Sequence, residues 1–205
     1  MNPNAFPTKG NLIAAKHSLS LAKQGYELMD KKRNILIREL MELIEQAKDI
    51  QSQIDGYFSS AYIALMQANI EMGIDVVNSF AHATPIEDSI SIKTRSIMGT
   101  EIPLVEYDSS ASKQPAYGFY STKESLDKAR MDFIKVKELS IKLSMIENSA
   151  YRLATNIKKT QKRANALQNI TIPMYTDMVV TITNALEEKE REEFSRLKVI
   201  KKQHG

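Results

Sequence analysis

An all-α fold is predicted: a long antiparallel two-helix coiled coil with a small β-hairpin insert between the helices. Three observations predict it. Glycine and proline are scarce, 7 and 6 in 205 residues, with no tryptophan and with 26% of residues charged, the composition of long helices. Apolar side chains recur at alternating steps of three and four over most of both halves, the seam of a left-handed supercoil. The two periodic stretches are nearly equal, about 73 and 80 residues, or about 110 to 120 Å each at helical rise.

The first helix opens at Thr8, a plausible N-cap after Pro7. Its stripe runs Leu12, Ala15, Leu19, Ala22, Tyr26, Met29, Arg33, Leu36, Leu40, Leu43, Ala47, Ile50, Ile54, Tyr57, Ala61, Ala64 and Ala68, and only Arg33 breaks the apolar series. Beyond residue 57 a competing stripe (Phe58, Tyr62, Leu65, Met72, Val76, Phe80) drifts to wider spacing, so the supercoil is expected to loosen there. This element is assigned to residues 1–80.

Residues 81–120 break the pattern. Ile90, Ile92 and Thr94 alternate before Gly99, and Ile102 and Leu104 alternate after it, which reads as a β-hairpin with Met98, Gly99 and Pro103 about its turn. Gly99 supplies the positive φ of a tight turn. Residues 108–120 read as a polar linker.

The second helix is assigned to 121–205. "STKE" at 121–124 has the capping-box pattern, with Ser121 as N-cap. Its stripe runs Leu126, Ala129, Phe133, Val136, then Leu143, Ile146, Ala150, Leu153, Ile157, Thr160, Ala164, Leu167, Thr171, Met174, Met178 and Thr181. Pro173 interrupts it, at a position where a proline ordinarily costs about 3 kcal/mol. Setting residue 80 beside residue 121 places Pro173 near Gly25, where a missing side chain would let the backbones approach, and makes that pair a candidate kink. The same register sets Glu39, Glu42 and Glu45 against the basic run 158–163, and Asn165 or Gln168 near Arg33.

Net charge is +3, but it is uneven: residues 1–88 hold 8 basic and 11 acidic side chains, and 121–205 hold 17 and 11. So modest a total argues against nucleic acid as a partner. There is no cysteine, hence no disulfide and no thiolate chemistry. His17, His82 and His204 stand on separate segments with no second ligand at i+3 or i+4, so no metal site is expected. Neither GxxxxGK[ST] nor GxGxxG occurs, so no nucleotide loop and no cofactor are expected. No apolar run is long enough to insert in a membrane. A two-helix rod offers no deep pocket, and an enzyme active site is not expected within the chain. From the residues alone the chain reads as a stiff, narrow shaft, and one function open to it is that of a static coiled-coil adaptor or nucleic-acid-binding arm using Lys158, Lys159, Lys162 and Arg163.

The segment "KKTQKRANALQNITIPMYTDMVVTITNALEEKEREEFSRLKVIKK" resembles the C-terminal helix of the D subunit of V-type and A-type rotary ATPases, in Arg163, Asn165, Ala166, Leu167, Ile172, Pro173 and Leu186 through Glu193. The stretch from Pro7 to Leu40 resembles the family's N-terminal helix, and "SIMGTEIP" its Met-Gly and following proline. Ending at Gly205, the chain is similar to the prokaryotic branch, whose members lack a longer eukaryotic tail.

The resemblance implies a non-catalytic central-stalk rotor, peripheral to the cell membrane on the cytoplasmic side. Its partners would be the small F subunit of the stalk, the catalytic A and regulatory B subunits, and a funnel-shaped adaptor on the membrane ring. It also puts both termini uppermost. That gathers Lys9, Lys16, Lys23, Lys31, Lys32 and Arg33 with Arg191, Arg196, Lys198, Lys201 and Lys202 at one tip, as expected contacts with the hexamer. The F subunit is expected on residues 50–75 and 125–150.

Overall fold

The computed structural model describes residues 6–84, 89–107, 115 and 117–203. In chain order it contains helices α1 (Lys9–Met72) and α2 (Ile74–Ala83), strands β1 (Ser91–Ile97) and β2 (Thr100–Glu106), and helices α3 (Glu124–Ala166) and α4 (Ile172–Gln203). A five-residue π-helical segment, Leu167–Thr171, joins α3 to α4. The expected linker falls mostly outside the described residues, as does His204.

Thr8 caps α1 as its sequence suggests: its hydroxyl accepts the amide of Asn11 at 3.2 Å, and its carbonyl accepts Leu12 N at 3.0 Å. The whole stripe from Leu12 to Ala68 is buried or half-buried. The expected loosening after residue 57 does not displace it, since Ala61 and Ala68 are fully buried and Ala64 nearly so. Tyr62 and Val76, from the competing stripe, stay exposed. What ends the helix is Gly73, at φ 90°, a left-handed value that glycine alone adopts freely. Its amide still bonds Asn69 O at 3.0 Å, and α2 resumes with Val77 N on Gly73 O at 3.2 Å.

The chain forms two compact units, residues 36–156 and residues 1–35 with 157–205. In the first, α1 and α3 run antiparallel over a core containing Leu36, Ile54, Ala61, Ala64, Ala68, Leu126, Ala129, Val136, Ile146 and Leu153. Alanines on α1 leave room for larger partners on α3, the large-against-small interdigitation of a dense seam. Phe58, Tyr62 and Phe133 form an aromatic cluster with edge contacts at 6.5 and 5.5 Å. The α2 helix is held by Val77, which joins Ala68 and Leu126, and by Phe80 against Tyr117 at 5.1 Å.

The N-cap assigned to Ser121 is not formed. Tyr117 is fixed by Phe80 and donates its hydroxyl to Asp127 at 2.9 Å, and the chain then makes a short 3-10 turn at Phe119–Ser121. Thr122 is extended, so α3 begins only at Glu124. Tertiary anchoring of the preceding loop overrides the local signal.

In the second unit the seam is made of Ala15, Ala22, Ala164, Thr160 and Ile182. The register expected from the helix ends is corrected here. Arg33 donates to Gln161 at 2.8 Å, and a side chain at Gly25 would meet Leu167, not Pro173. The basic run 158–163 therefore lies beside Arg33 instead of opposite Glu39, Glu42 and Glu45. The helix ends misled because the break at Gly73 and the late start of α3 set the pairing, and both lie inside the lengths counted from sequence.

Candidate interaction surfaces

The π segment answers what permits Pro173. A proline ring presses on the carbonyl four residues back, here that of Asn169, and Asn169 lies within Leu167–Thr171. The i→i−5 bond of Ile172 N to Leu167 O closes a wider turn just ahead of the ring. It also takes one extra residue into the helix. The seam before it includes Thr160; the seam after it includes Ile182, three heptads plus one residue later. Predicted seam residues Met174 and Thr181 are accordingly exposed, and Tyr175 and Ile182 turn inward in their place. On α1 the phase is unbroken through Ala15, Ala22 and Leu36. Gly25 faces the first residue of the π segment, where an added β-carbon would lie 3.7 Å from Leu167 Cδ1 in ordinary contact, so no close backbone approach requires a glycine there.

Arg33 is engaged within the helix pair. Only a quarter of its side chain is exposed, and it pairs with Asp30 at 2.5 Å, with Asn34 at 3.1 Å and with Gln161. Gln161 in turn donates to Asn165 at 2.7 Å. The expected partner Asn165 is thus reached through Gln161, and Gln168 is not involved. This polar knot interrupts the apolar seam.

Toward the chain ends the character changes. Every residue from Glu187 to Gln203 is exposed, although the segment is helical throughout. Its own ion pairs brace it, Arg191 with Glu187 at 3.7 Å and Arg196 with Glu192 at 3.9 Å, and Lys9 reaches across to Glu190 at 3.2 Å. Lys16, Lys23, Lys198 and Lys201 are exposed cations on the same unit. Sequence reasoning passed over an apolar stripe here: Phe194, Leu197 and Ile200, at 70%, 64% and 51% exposure, recur every three residues on the charged end of α4. Their spacing was the available signal, masked by the surrounding charge.

The hairpin is built as expected. Met98 (φ 48°) and Gly99 (φ 75°) form a two-residue turn with positive φ at both positions, the type I′ geometry matched to strand twist. Pro103 stands opposite Thr94. The hairpin rests on α3: Arg152 donates to Glu101 O at 3.1 Å, Asn156 hydrogen-bonds Thr100, and Ile102 is buried. Among the described residues no helix is long and apolar enough to cross a membrane.

Comparison with known proteins decides the family. The family profile describing the D subunit of ATP synthases matches residues 11–202. The chain belongs to the ATP synthase D subunit family. It is 44% identical to the V-type ATP synthase D subunit of Thermotoga neapolitana over 195 residues, covering 95% of this chain and 96% of that one. To the A-type ATP synthase D subunit of Pyrococcus horikoshii it is 34% identical over 197 residues, 95% and 92% of the two chains. To the A-type D subunit of Methanosphaera stadtmanae it is 33% identical over 198 residues, 96% and 92%. The matched residues 11–202 include the π segment, the hairpin and all but the last residue of α4.

Proposed function

We propose that the chain is the central-stalk rotor of a V/A-type ATP synthase, a non-catalytic subunit that carries torque between ATP chemistry in a hexamer of A and B subunits and ion movement in a membrane ring. The observation that carries this reading is the end of α4: 17 consecutive helical residues, Glu187–Gln203, with every side chain in solvent. A helix that exposes Phe194, Leu197 and Ile200 beside Arg191, Arg196, Lys198 and Lys201 is suited to enter a cavity lined by other subunits. Exposed ion pairs are individually weak, which suits contacts made and broken as a rotor turns. The small F subunit of the stalk would bind residues 50–75 and 125–150, and the funnel-shaped adaptor would hold the opposite end from the tip. The chain would act at the cytoplasmic side of the membrane.

The test is co-assembly of the tagged full-length chain with the A, B and F subunits, followed by ATPase and single-molecule rotation assays. Activity that rises with the chain present, and falls with coupling when Lys9, Lys16, Lys23, Arg191, Arg196, Lys198 and Lys201 are neutralised together, is the expected result. Failure to co-assemble, or an unchanged rate and torque on neutralising the tip, would overturn the reading. Pro173→Ala is expected to lower torque at unchanged assembly, because the proline and its π segment set the phase of everything after them.

A further inference from the structure

The two edges of the hairpin are finished differently. Residues flanking a two-residue turn form a hydrogen-bonded pair, and pairs then alternate along the ladder. From the register, Ile97 with Thr100, Arg95 with Ile102 and Lys93 with Leu104 bond each other. The backbone groups of Ile92, Thr94 and Ser96 therefore point out from one edge, and those of Glu101, Pro103 and Val105 from the other. On the β2 edge half of these groups are used or absent. Glu101 O accepts Arg152, Val105 N lies 3.4 Å from the Met145 sulfur, and Pro103 has no N–H. On the β1 edge Ser91 through Ser96 are exposed, and among the described residues no hydrogen bond reaches the outward groups of Ile92, Thr94 and Ser96. Three donors and three acceptors stand in a row, on a strand whose register runs unbroken over seven pairs, without proline or bulge.

We propose that this edge takes up an extended strand from another subunit of the ATP synthase, one that alternates acidic and apolar residues. The alternation follows from the side chains beside the open groups. Lys93 and Arg95 project on one face; Lys93 is already paired with Glu106 at 2.8 Å, and among the described residues no anion pairs with the Arg95 guanidinium. Ile92, 71% exposed, projects on the other face and would meet an apolar residue. A second copy of this chain fits poorly. Antiparallel pairing of β1 with itself about Thr94 sets Lys93 opposite Arg95, and like charges directly opposed destabilise a ladder. Added-strand recognition draws affinity from main-chain bonds and selectivity from such alternate side chains.

The choice of partner rests on the stalk reading; the open edge does not. Residue-resolved amide exchange on the full chain, alone and after assembly with the other soluble subunits of its ATP synthase, tests it. Alone, the amides of Ile92, Thr94 and Ser96 exchange freely while those of Lys93 and Arg95 are protected. In the assembly the three open amides slow at least about tenfold, the scale of ladder hydrogen bonds worth about 1.4 kcal/mol. Thr94→Pro, which removes an outward N–H and no bond of the β1–β2 ladder, and Arg95→Glu, at an exposed side chain, each abolish that slowing, and Thr94→Ala does not. An assembly that hydrolyses ATP while the three amides stay open would overturn the inference and leave the stalk reading intact. Protection that appears in the isolated chain and grows with its concentration would assign the edge to a second copy and equally overturn it. Failure to assemble would overturn the stalk reading and this partner with it.

Discussion

The unit of residues 36–156 and the unit formed by both chain ends each contain an antiparallel helix pair and stabilise it differently. The first buries large side chains, Leu36 and Leu153 at full burial among them, and holds the ring contacts of Phe58, Tyr62, Phe133, Phe80 and Tyr117. The second buries three alanines, a threonine and Ile182, crosses its seam with the Arg33 knot, and leaves the last 17 residues of α4 bare. One helix pair is thus anchored by area removed from water. The other is specified by polar partners and helical phase, which keeps its outer surface available.

Substitutions that probe each mode should separate the two units. The largest effect is expected from Leu153→Ala, at a side chain with no solvent exposure, which lowers unfolding free energy by about 2–5 kcal/mol in urea titrations. A loss under about 1 kcal/mol would show that the seam around it collapses freely. Arg33→Ala strips partners from Asp30 and Gln161 and is expected to cost about 1–3 kcal/mol. Arg33→Leu with Asp30→Ala and Gln161→Leu, an apolar layer, is expected to recover most of that loss while relaxing the pairing specificity a polar layer confers. Interhelix spin-label distances would read the register directly. Gly25→Ala goes the other way: its β-carbon would sit at contact distance from Leu167, so the gain in helix propensity, about 0.8–1 kcal/mol, should appear undiminished.

How much of this was legible in sequence divides along the same line. The α1 stripe from Leu12 to Ala68 was readable because a seven-residue repeat persists without interruption, and the hairpin because Met98-Gly99 sits between alternating residues. The α4 stripe was misread after Thr171 because no residue type announces an extra residue in a helix; only the failure of Met174 and Thr181 to match the burial of Thr160 does. Proline marked the place and not the remedy. Deleting Asn169 tests this account: it brings Ile182 into unbroken heptad phase with Thr160, so the π segment should disappear from the helix while Ile182 stays buried. Register was missed because side-chain periodicity is silent on a shift along the axis, and Arg33, the residue that fixes it, stood out only as an exception.

A comparably small effect belongs to the link between α2 and α3. Tyr117 packs on Phe80 and donates to Asp127, and its phenol is pushed up to about 12, chiefly by burial, then by the hydrogen bond to Asp127 and that carboxylate's charge, with Arg130 opposing. A phenol harder to ionise when folded than when unfolded favours folding below its unfolded value near 10, and that contribution drains away as pH rises from 10 to 12. Tyr117→Phe removes both the hydrogen bond and the titration. At pH 8 it should cost about 1 kcal/mol, the usual net worth of one hydrogen bond. The difference should shrink above pH 10 and vanish at about pH 11, because wild type then spends free energy holding a proton that solvent would take. Lysines titrating in the same range shift both proteins together, so the difference between their urea midpoints isolates Tyr117. No difference at any pH across the window would mean that this ring contributes packing against Phe80 and nothing through its hydroxyl.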